Sequence, residues 1–323
     1  MDHRIVSFGE IMLRLTPPGG QLIGLAHGFD GCYGGSESNV LVCLSSLGHR
    51  TEYLTALPDN DLGTAAIRHL AANGVGTGHI LRSPDRMGVY FLENGFGSRG
   101  TKVIYDRQHS AVSLLDEGAF DYDAVFAGCS LLHICGISFA ISPSARRLSF
   151  ALVAEAKKRG IPVSFDFNYR AKLWTVAEAA LVYQQIIPQV DILFCSQRDL
   201  QAFLHTDADR FFAQYGCEYL VVREREVLSG DTHRAHASLY HREKAQVHSG
   251  QVTFPVLERI GSGDAFVGGV LHGLLENSAD LQGALDCGMA CFVLKHTQQG
   301  DVFTLGPGAV RDYCNSLAKD VSR

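Results

Sequence analysis

The feature that most constrains the fold of this chain is a rhythm. Short apolar runs alternate with stretches of helical period along almost its whole length. Ile5–Phe8, Thr51–Leu57, Leu131–Cys135, Pro162–Asp166, Asp191–Cys195, Tyr219–Arg223 and Ser238–His241 read as strands. Between them, Ser38–Leu47 repeats its apolar residues at a period near 3.6 and stops at Gly48; Asp61–Asn73 stops at Gly74 and Pro143–Arg159 at Gly160. Further helices are expected near Val176–Ile187 and at Ser262–Glu276 and Leu281–Lys295. Strands separated by helices cannot pair as hairpins, so the pattern predicts a parallel sheet covered by helices.

Two segments break the rhythm. Thr16 to Tyr33 is rich in Gly and Pro and has no helical period. Gly88–Asn94 and Thr101–Arg107 read as a hairpin around Gly95–Gly100. A turn centred near Gly97–Ser98 sets Tyr90 opposite Tyr105 and Gly88 opposite Arg107, with Val103, Tyr105 and Arg107 on one face. Two tyrosines and an arginine on one face suit a cover over a sugar; an ordinary half-exposed hairpin fits the pattern equally. Gly95–Gly100 also spells G-x-G-x-x-G, but no helix opens after it, so it is read as a turn.

Composition narrows the function classes. With 46% hydrophobic residues and a net charge of −6, the chain can bury a large core and carries no basic block for nucleic acid. The stretch 124–145 is uncharged and long enough to span a bilayer, but its glycines, serines, His133 and Pro143 favour a buried strand followed by a loop. The N-terminus has no signal-peptide pattern. Nine cysteines without zinc-like spacing read as reduced thiols of a cytoplasmic protein. His233 and His236, in a polar segment, lack further ligands for a metal.

One glycine motif carries chemistry. There is no G-x-x-x-x-G-K-[ST], which excludes a P-loop mechanism. In Arg259-Ile-Gly-Ser-Gly-Asp-Ala-Phe266, however, Gly261, Ser262 and Gly263 stand at the start of a long apolar helix, where backbone N–H groups crowd around an anion. Asp264 in that first turn is placed to take a proton from an attacking hydroxyl while the helix end stabilises a phosphoryl group. An acidic residue in a first helical turn is also a common stabilising feature.

This motif resembles the C-terminal signature of the ribokinase-like, phosphofructokinase-B type carbohydrate kinases. Tyr33-Gly-Gly-Ser-Glu-Ser-Asn39 resembles their N-terminal one, more than 200 residues away. The resemblance implies a doubly wound, mostly parallel α/β core in one domain over residues 1–323, with a small β lid from about 11–33 and 86–108. It also implies ATP and Mg2+. Phe8-Gly-Glu-Ile-Met-Leu-Arg-Leu-Thr-Pro-Pro18, Leu57-Pro-Asp-Asn60, Tyr105-Asp-Arg107, Asp166-Phe-Asn-Tyr-Arg170 and Leu294-Lys-His-Thr297 are similar to the 2-keto-3-deoxygluconate kinase branch.

Carried over by position, Gly34, Asn39, Tyr90 and Tyr105 contact the sugar. Arg107 and Arg170 take the substrate carboxylate or the γ-phosphate, guanidinium being suited to either, or else form surface ion pairs. Asp301 is a substrate contact or a loop cap. Arg223, Gly230 and Lys295 lie near the nucleotide, Lys295 alternatively being an exposed helix-end cation. Where relatives carry Asn-x-x-Glu this chain reads Ser196-Gln-Arg-Asp199, so Mg2+, through water, falls to Asp199. The implied reaction is phosphorylation of a sugar acid's primary hydroxyl, with a neutral-sugar kinase or a catalytically lapsed sugar-binding protein as alternatives. Lid pairing between subunits implies a homodimer; no nucleic acid or membrane partner is expected.

Overall fold

The computed structural model describes residues 3–244 and 246–320. Its centre is an eleven-stranded sheet. Seven strands run parallel in the spatial order Tyr219–Val227, Ile192–Cys195, Val163–Asp166, Leu131–Cys135, Arg4–Phe8, Arg50–Pro58 and Val75–Gly76. Ile80–Ser83 adds in parallel beyond the midpoint of Arg50–Pro58, and Thr232–His241 continues the other edge antiparallel to Tyr219–Val227. The first strand sits mid-sheet, with the second unit of the fold to one side and the third to the other. That reversal is the doubly wound arrangement expected, and such sheets bind ligands outside the carboxyl ends of the strands at the reversal.

The strands are buried on both faces, which is why they read as unbroken apolar runs. One core packs Phe8, Ile134, Phe165 and Leu193 against the helix Pro143–Lys158; the other packs Ile5, Tyr53, Phe194 and Val221 against Ser36–Ser46, Ser262–Glu276 and Leu281–Lys295.

A separate four-stranded sheet stands over the carboxyl ends. Its order is Asp30–Gly34, Met12–Thr16, Val89–Glu93, Lys102–Asp106. Tyr90 pairs with Tyr105, as the turn placement predicts. Gly97 takes a φ of 56° at the turn, where a side chain would be strained.

Three expectations change. The strand Leu131–Cys135 leads into a short helix, Gly136–Ala140, rather than a loop; its backbone is pinned where Tyr183 and the carbonyl of Phe167 leave no room for a side chain on Gly136. The last long strands extend to Val227 and begin at Thr232, because the charged residues there pair across the hairpin, Glu226 opposite Arg234. His233, in a segment that reads as polar, is therefore buried inside a strand against Phe254 and His296.

Candidate active site

The Gly-Ser-Gly turn forms as its sequence demands. Gly261 adopts φ 76°, ψ −2° immediately before the helix Ser262–Glu276, and a Cβ there would collide with the carbonyl oxygen of Asp301. Glycine alone fits both constraints. No side chain caps this helix end; the N–H of Ser262 reaches Arg259 O at 3.3 Å, and those of Gly263 and Asp264 are left to an external partner.

Asp264 is held rather than loose. Its Oδ2 accepts from Asn39 Nδ2 at 2.7 Å and its Oδ1 from Ser36 Oγ at 2.9 Å. Ser36 Oγ in turn accepts from Asn168 Nδ2 at 2.6 Å, and Asn168 sits at φ 38°. The chain of donors Asn168, Ser36 and Asn39 fixes both carboxylate oxygens, so one rotamer is imposed. Burial nevertheless pushes the carboxyl above its ordinary range, with Asn39, Ser36 and Arg170 opposing the rise. A base of raised basicity, fixed at a helix N-terminus, is suited to accepting a hydroxyl proton.

Two cavities meet at this residue. The larger, about 640 Å³, is lined by Arg170, Arg223, Asp199 and Gly261–Asp264 among others. The smaller, about 90 Å³, is lined by Gly34, Asn39, Tyr90, Tyr105, Arg107 and Asp301, lies beneath the small sheet, and has room for about three waters. Gly261, Asp264 and Arg170 line both. The residues singled out from sequence therefore divide between two adjoining chambers, with the proposed base at the wall they share.

Two of those residues do not reach either cavity. Gly230 donates its N–H to Gly97 O at 2.8 Å, and a Cβ on it would strike that same peptide. It holds the tip of the small sheet and lines neither cavity. Lys295 is fully buried, not an exposed helix-end cation, and its Nζ donates to Gln298 O at 3.2 Å. Burial lowers its pKa, while Glu258 and Asp301 favour its charge.

The floor of the smaller cavity is a buried charge network. Arg14 pairs with both Asp301 and Glu258, and Tyr90 donates its hydroxyl to Asp301. Asp301 is thus neither a simple loop cap nor a free acceptor. Arg107 donates through Nε to Glu10 Oε2 at 2.7 Å, and again through an η-nitrogen, in a pair that is mostly buried. The other oxygen of Glu10, Oε1, is buried without a partner. Sequence reasoning missed Glu10 and Arg14 because each lies inside a motif noted only as similarity.

The larger cleft is different in kind. Arg170, Arg198, Arg225 and Arg259 line it and make no side-chain hydrogen bond or ion pair among the described residues. Arg225 is held down to about 10 by burial and by Arg223, Arg259 and Arg170. Arg223 lies 4.6 Å over Phe292 and 5.2 Å over Phe266, stacked beneath the Gly-Ser-Gly turn. Asp166, Asp199 and Glu224 add carboxylates, and burial with Asp264 nearby raises Asp166 to about 7. Asp199 closes the helix Gln197–Leu204 as a capping box, its Oδ2 accepting from Ser196 N at 2.9 Å and Ser196 Oγ at 2.7 Å. The serine that replaces the relatives' amide therefore restrains the aspartate. Among the described residues these carboxylates do not bring three ligand atoms within 4.8 Å of one another, so a hard divalent cation at Asp199 would be reached through water.

Comparison with known proteins agrees with this geometry. Residues 2–305 match the pfkB family carbohydrate kinase profile. The 2-dehydro-3-deoxygalactonokinase of Haloferax volcanii is 33% identical over 318 residues, 96% of each chain. The crystal structure of 2-dehydro-3-deoxygluconokinase from Thermotoga maritima superposes with a TM-score of 0.94 at 32% identity, covering 98% of this chain and 99% of that one. A ribokinase II-type protein from E. coli, in complex with ATP and Mg2+, shares the fold at TM-score 0.85 and 21% identity, covering 97% of this chain and 99% of that one. With the family profile over nearly its full length and a buried carboxylate, Asp264, at the junction of two chambers, the chain belongs to the pfkB family of carbohydrate kinases and is an enzyme of the 2-dehydro-3-deoxygluconokinase-like kind.

Proposed function

We propose that this kinase transfers the γ-phosphoryl group of ATP to the primary hydroxyl of 2-keto-3-deoxygluconate, giving the 6-phosphate. The observation that carries the reading is that Asp264, Gly261 and Arg170 line both cavities. A sugar in the smaller chamber and a nucleotide in the larger would present hydroxyl and phosphate on either side of one fixed carboxylate.

In this reading the four-stranded sheet is a lid on a single kinase unit, closing the sugar chamber against water. Gly34, Asn39, Tyr90, Tyr105 and Asp301 shape that chamber, and the unpartnered Glu10 Oε1 accepts from a sugar hydroxyl. Arg107, half satisfied by Glu10, keeps one η-nitrogen for the substrate. Arg170 and Arg259 meet the charge that crosses between chambers. Asp264 takes the hydroxyl proton as the oxygen attacks, and the N–H groups of Gly261–Gly263 stabilise the transferring group. Asp199 would hold Mg2+ through water, and the ion neutralises phosphate charge when bound. Arg223 supports the nucleotide side from beneath the turn.

The site of action we propose is the cytoplasm, where ATP is supplied and nine free thiols persist. Among the described residues no helix is long and apolar enough to cross a membrane. Leu22, Leu25, Phe29, Phe96 and Ile104 are exposed on or beside the lid, which supports pairing of two copies through it.

The test is ADP release with ATP and Mg2+ across 2-keto-3-deoxygluconate, its galacto epimer, gluconate, fructose and ribose. Preference for either keto-deoxy acid over all neutral sugars is expected. A neutral sugar winning would overturn the acid assignment, and sugar binding without ADP at any Mg2+ concentration would identify a lapsed enzyme.

A further inference from the structure

We propose that His49, His272 and Glu276 form a binding site for a borderline divalent cation such as Zn2+, remote from the phosphoryl-transfer centre. His272 and Glu276 are one turn apart on the helix Ser262–Glu276, so both project from one face. Glu276 lies twelve residues beyond Asp264, about 18 Å along the axis at 1.5 Å per residue. His49 comes from the turn after the helix Ser36–Ser46. Gly48 at φ 99° makes that turn, and the N–H of His49 donates to Leu44 O at 3.0 Å, fixing where the ring emerges.

His49 Nε2 lies 2.8 Å from His272 Nδ1, and one ligand atom of each of the three residues lies within 4.8 Å of the others. The two nitrogens share one proton, so one of them already directs a lone pair at the other. Two imidazole nitrogens on one tetrahedral zinc stand about 3.3 Å apart, from bonds of about 2.0–2.1 Å. The rings therefore need to open by only about half an ångström, while the exposed Glu276 closes the third position by rotation. An independent observation points to the same place. The ring of His3 lies 5.9 Å from that of His49, and its Nε2 is buried with no hydrogen-bond partner.

Imidazole nitrogens with a single carboxylate select zinc or a neighbouring transition metal over magnesium, whose preference is for oxygen. The ion would clamp two helices at their far ends. Both begin at the active site, one carrying Ser36 and Asn39, the other Asp264. Binding to the folded state alone would then raise the melting temperature.

The experiment uses the full chain, stripped by chelator, with ZnCl2 titrated by calorimetry and in thermal melts under excess MgCl2. One zinc per chain and a raised melting temperature, undiminished by magnesium, are expected. His49→Ala and His272→Ala should lose that stoichiometric binding while retaining kinase activity. Glu276→Gln, at an exposed position that cannot threaten folding, should weaken the affinity by roughly tenfold or more. Absence of wild-type binding at millimolar zinc overturns the site. So does zinc bound equally well by Glu276→Gln and by the His49/His272 double variant, which would place the ion on cysteine thiols elsewhere.

Discussion

The two chambers on either side of Asp264 treat their arginines in opposite ways. At the small sheet, Arg14 and Arg107 are each committed to buried carboxylates of the protein, Asp301 and Glu258 for one and Glu10 for the other. In the larger cleft, Arg170, Arg198, Arg225 and Arg259 have no such partners among the described residues. Partnered arginines hold a shape; unpartnered ones crowd at electrostatic cost until an anion arrives. The distribution therefore reads as a rigid receptor for hydroxyls beside a charged receptor for phosphates. It also shifts weight for the acidic end of a substrate from Arg107 towards Arg170, the unpaired arginine at the shared wall.

The sharpest way to break this division is at the wall itself. Asp264→Asn should lower kcat by roughly 10²–10⁴-fold, as loss of a general base does. Its melting temperature should not fall, because burial makes the ionised carboxylate a cost to folding. The sign follows from the upward shift: stability is fullest when the group is protonated and declines as pH rises through its ordinary range. For the same reason kcat should decline with acid at a pH above that of an ordinary carboxylate. Near-normal turnover in the variant would remove the base assignment.

Next comes the contrast between paired and unpaired arginines. Arg170→Ala should raise KM or lower kcat by roughly 10- to 150-fold, the 1.5–3 kcal/mol of a charge-assisted hydrogen bond, with no loss of thermal stability. Arg107→Ala should cost up to about 3–5 kcal/mol of stability, since it strands the buried Glu10. Equal melting temperatures for the two variants would refute the division. A smaller effect separates charge from capping at one residue. Asp199→Asn keeps an acceptor for Ser196, so stability should stay within about 0.5 kcal/mol while the Mg2+ concentration needed for half-maximal rate rises. Smallest of all, Gly230→Ala should displace Gly97 and raise the sugar KM roughly two- to tenfold, the net worth of one hydrogen bond.

Much of this was legible in the sequence, and the limits have physical causes. Parallel strands covered on both faces leave apolar runs, and glycines stop helices, so the core elements could be read to within a few residues. The hairpin pairing of Tyr90 with Tyr105 followed from a turn and a period of two. The Gly-Ser-Gly-Asp turn announced itself because only glycine tolerates the carbonyl of Asp301 against Gly261. What stayed hidden were pairings between distant residues. Nothing local marks Glu10 as the partner of Arg107, or Arg14 as that of Asp301, which is 287 positions away. Lys295 reads as a surface cation at a helix end and is buried only because Glu258 and Asp301 come from other segments. Gly230 was placed near the nucleotide only by resemblance, and nothing local marks it as the partner of Gly97, 133 positions away.

The small sheet is anchored unevenly. Its inner strands are tied to the body by charge, Arg14 to Asp301 and Glu258 and Tyr90 to Asp301, and breaking one such buried pair costs about 3–5 kcal/mol. Its hairpin edge is held by Gly230 N to Gly97 O at 2.8 Å and Lys172 Nζ to Val103 O at 2.7 Å, hydrogen bonds worth about 0.5–1.5 kcal/mol each. Any movement of the sheet therefore begins at the hairpin and pivots on the Arg14 cluster. Evolution could retune the working affinity of such an enzyme at a turn of the hairpin, without altering a residue that touches the substrate.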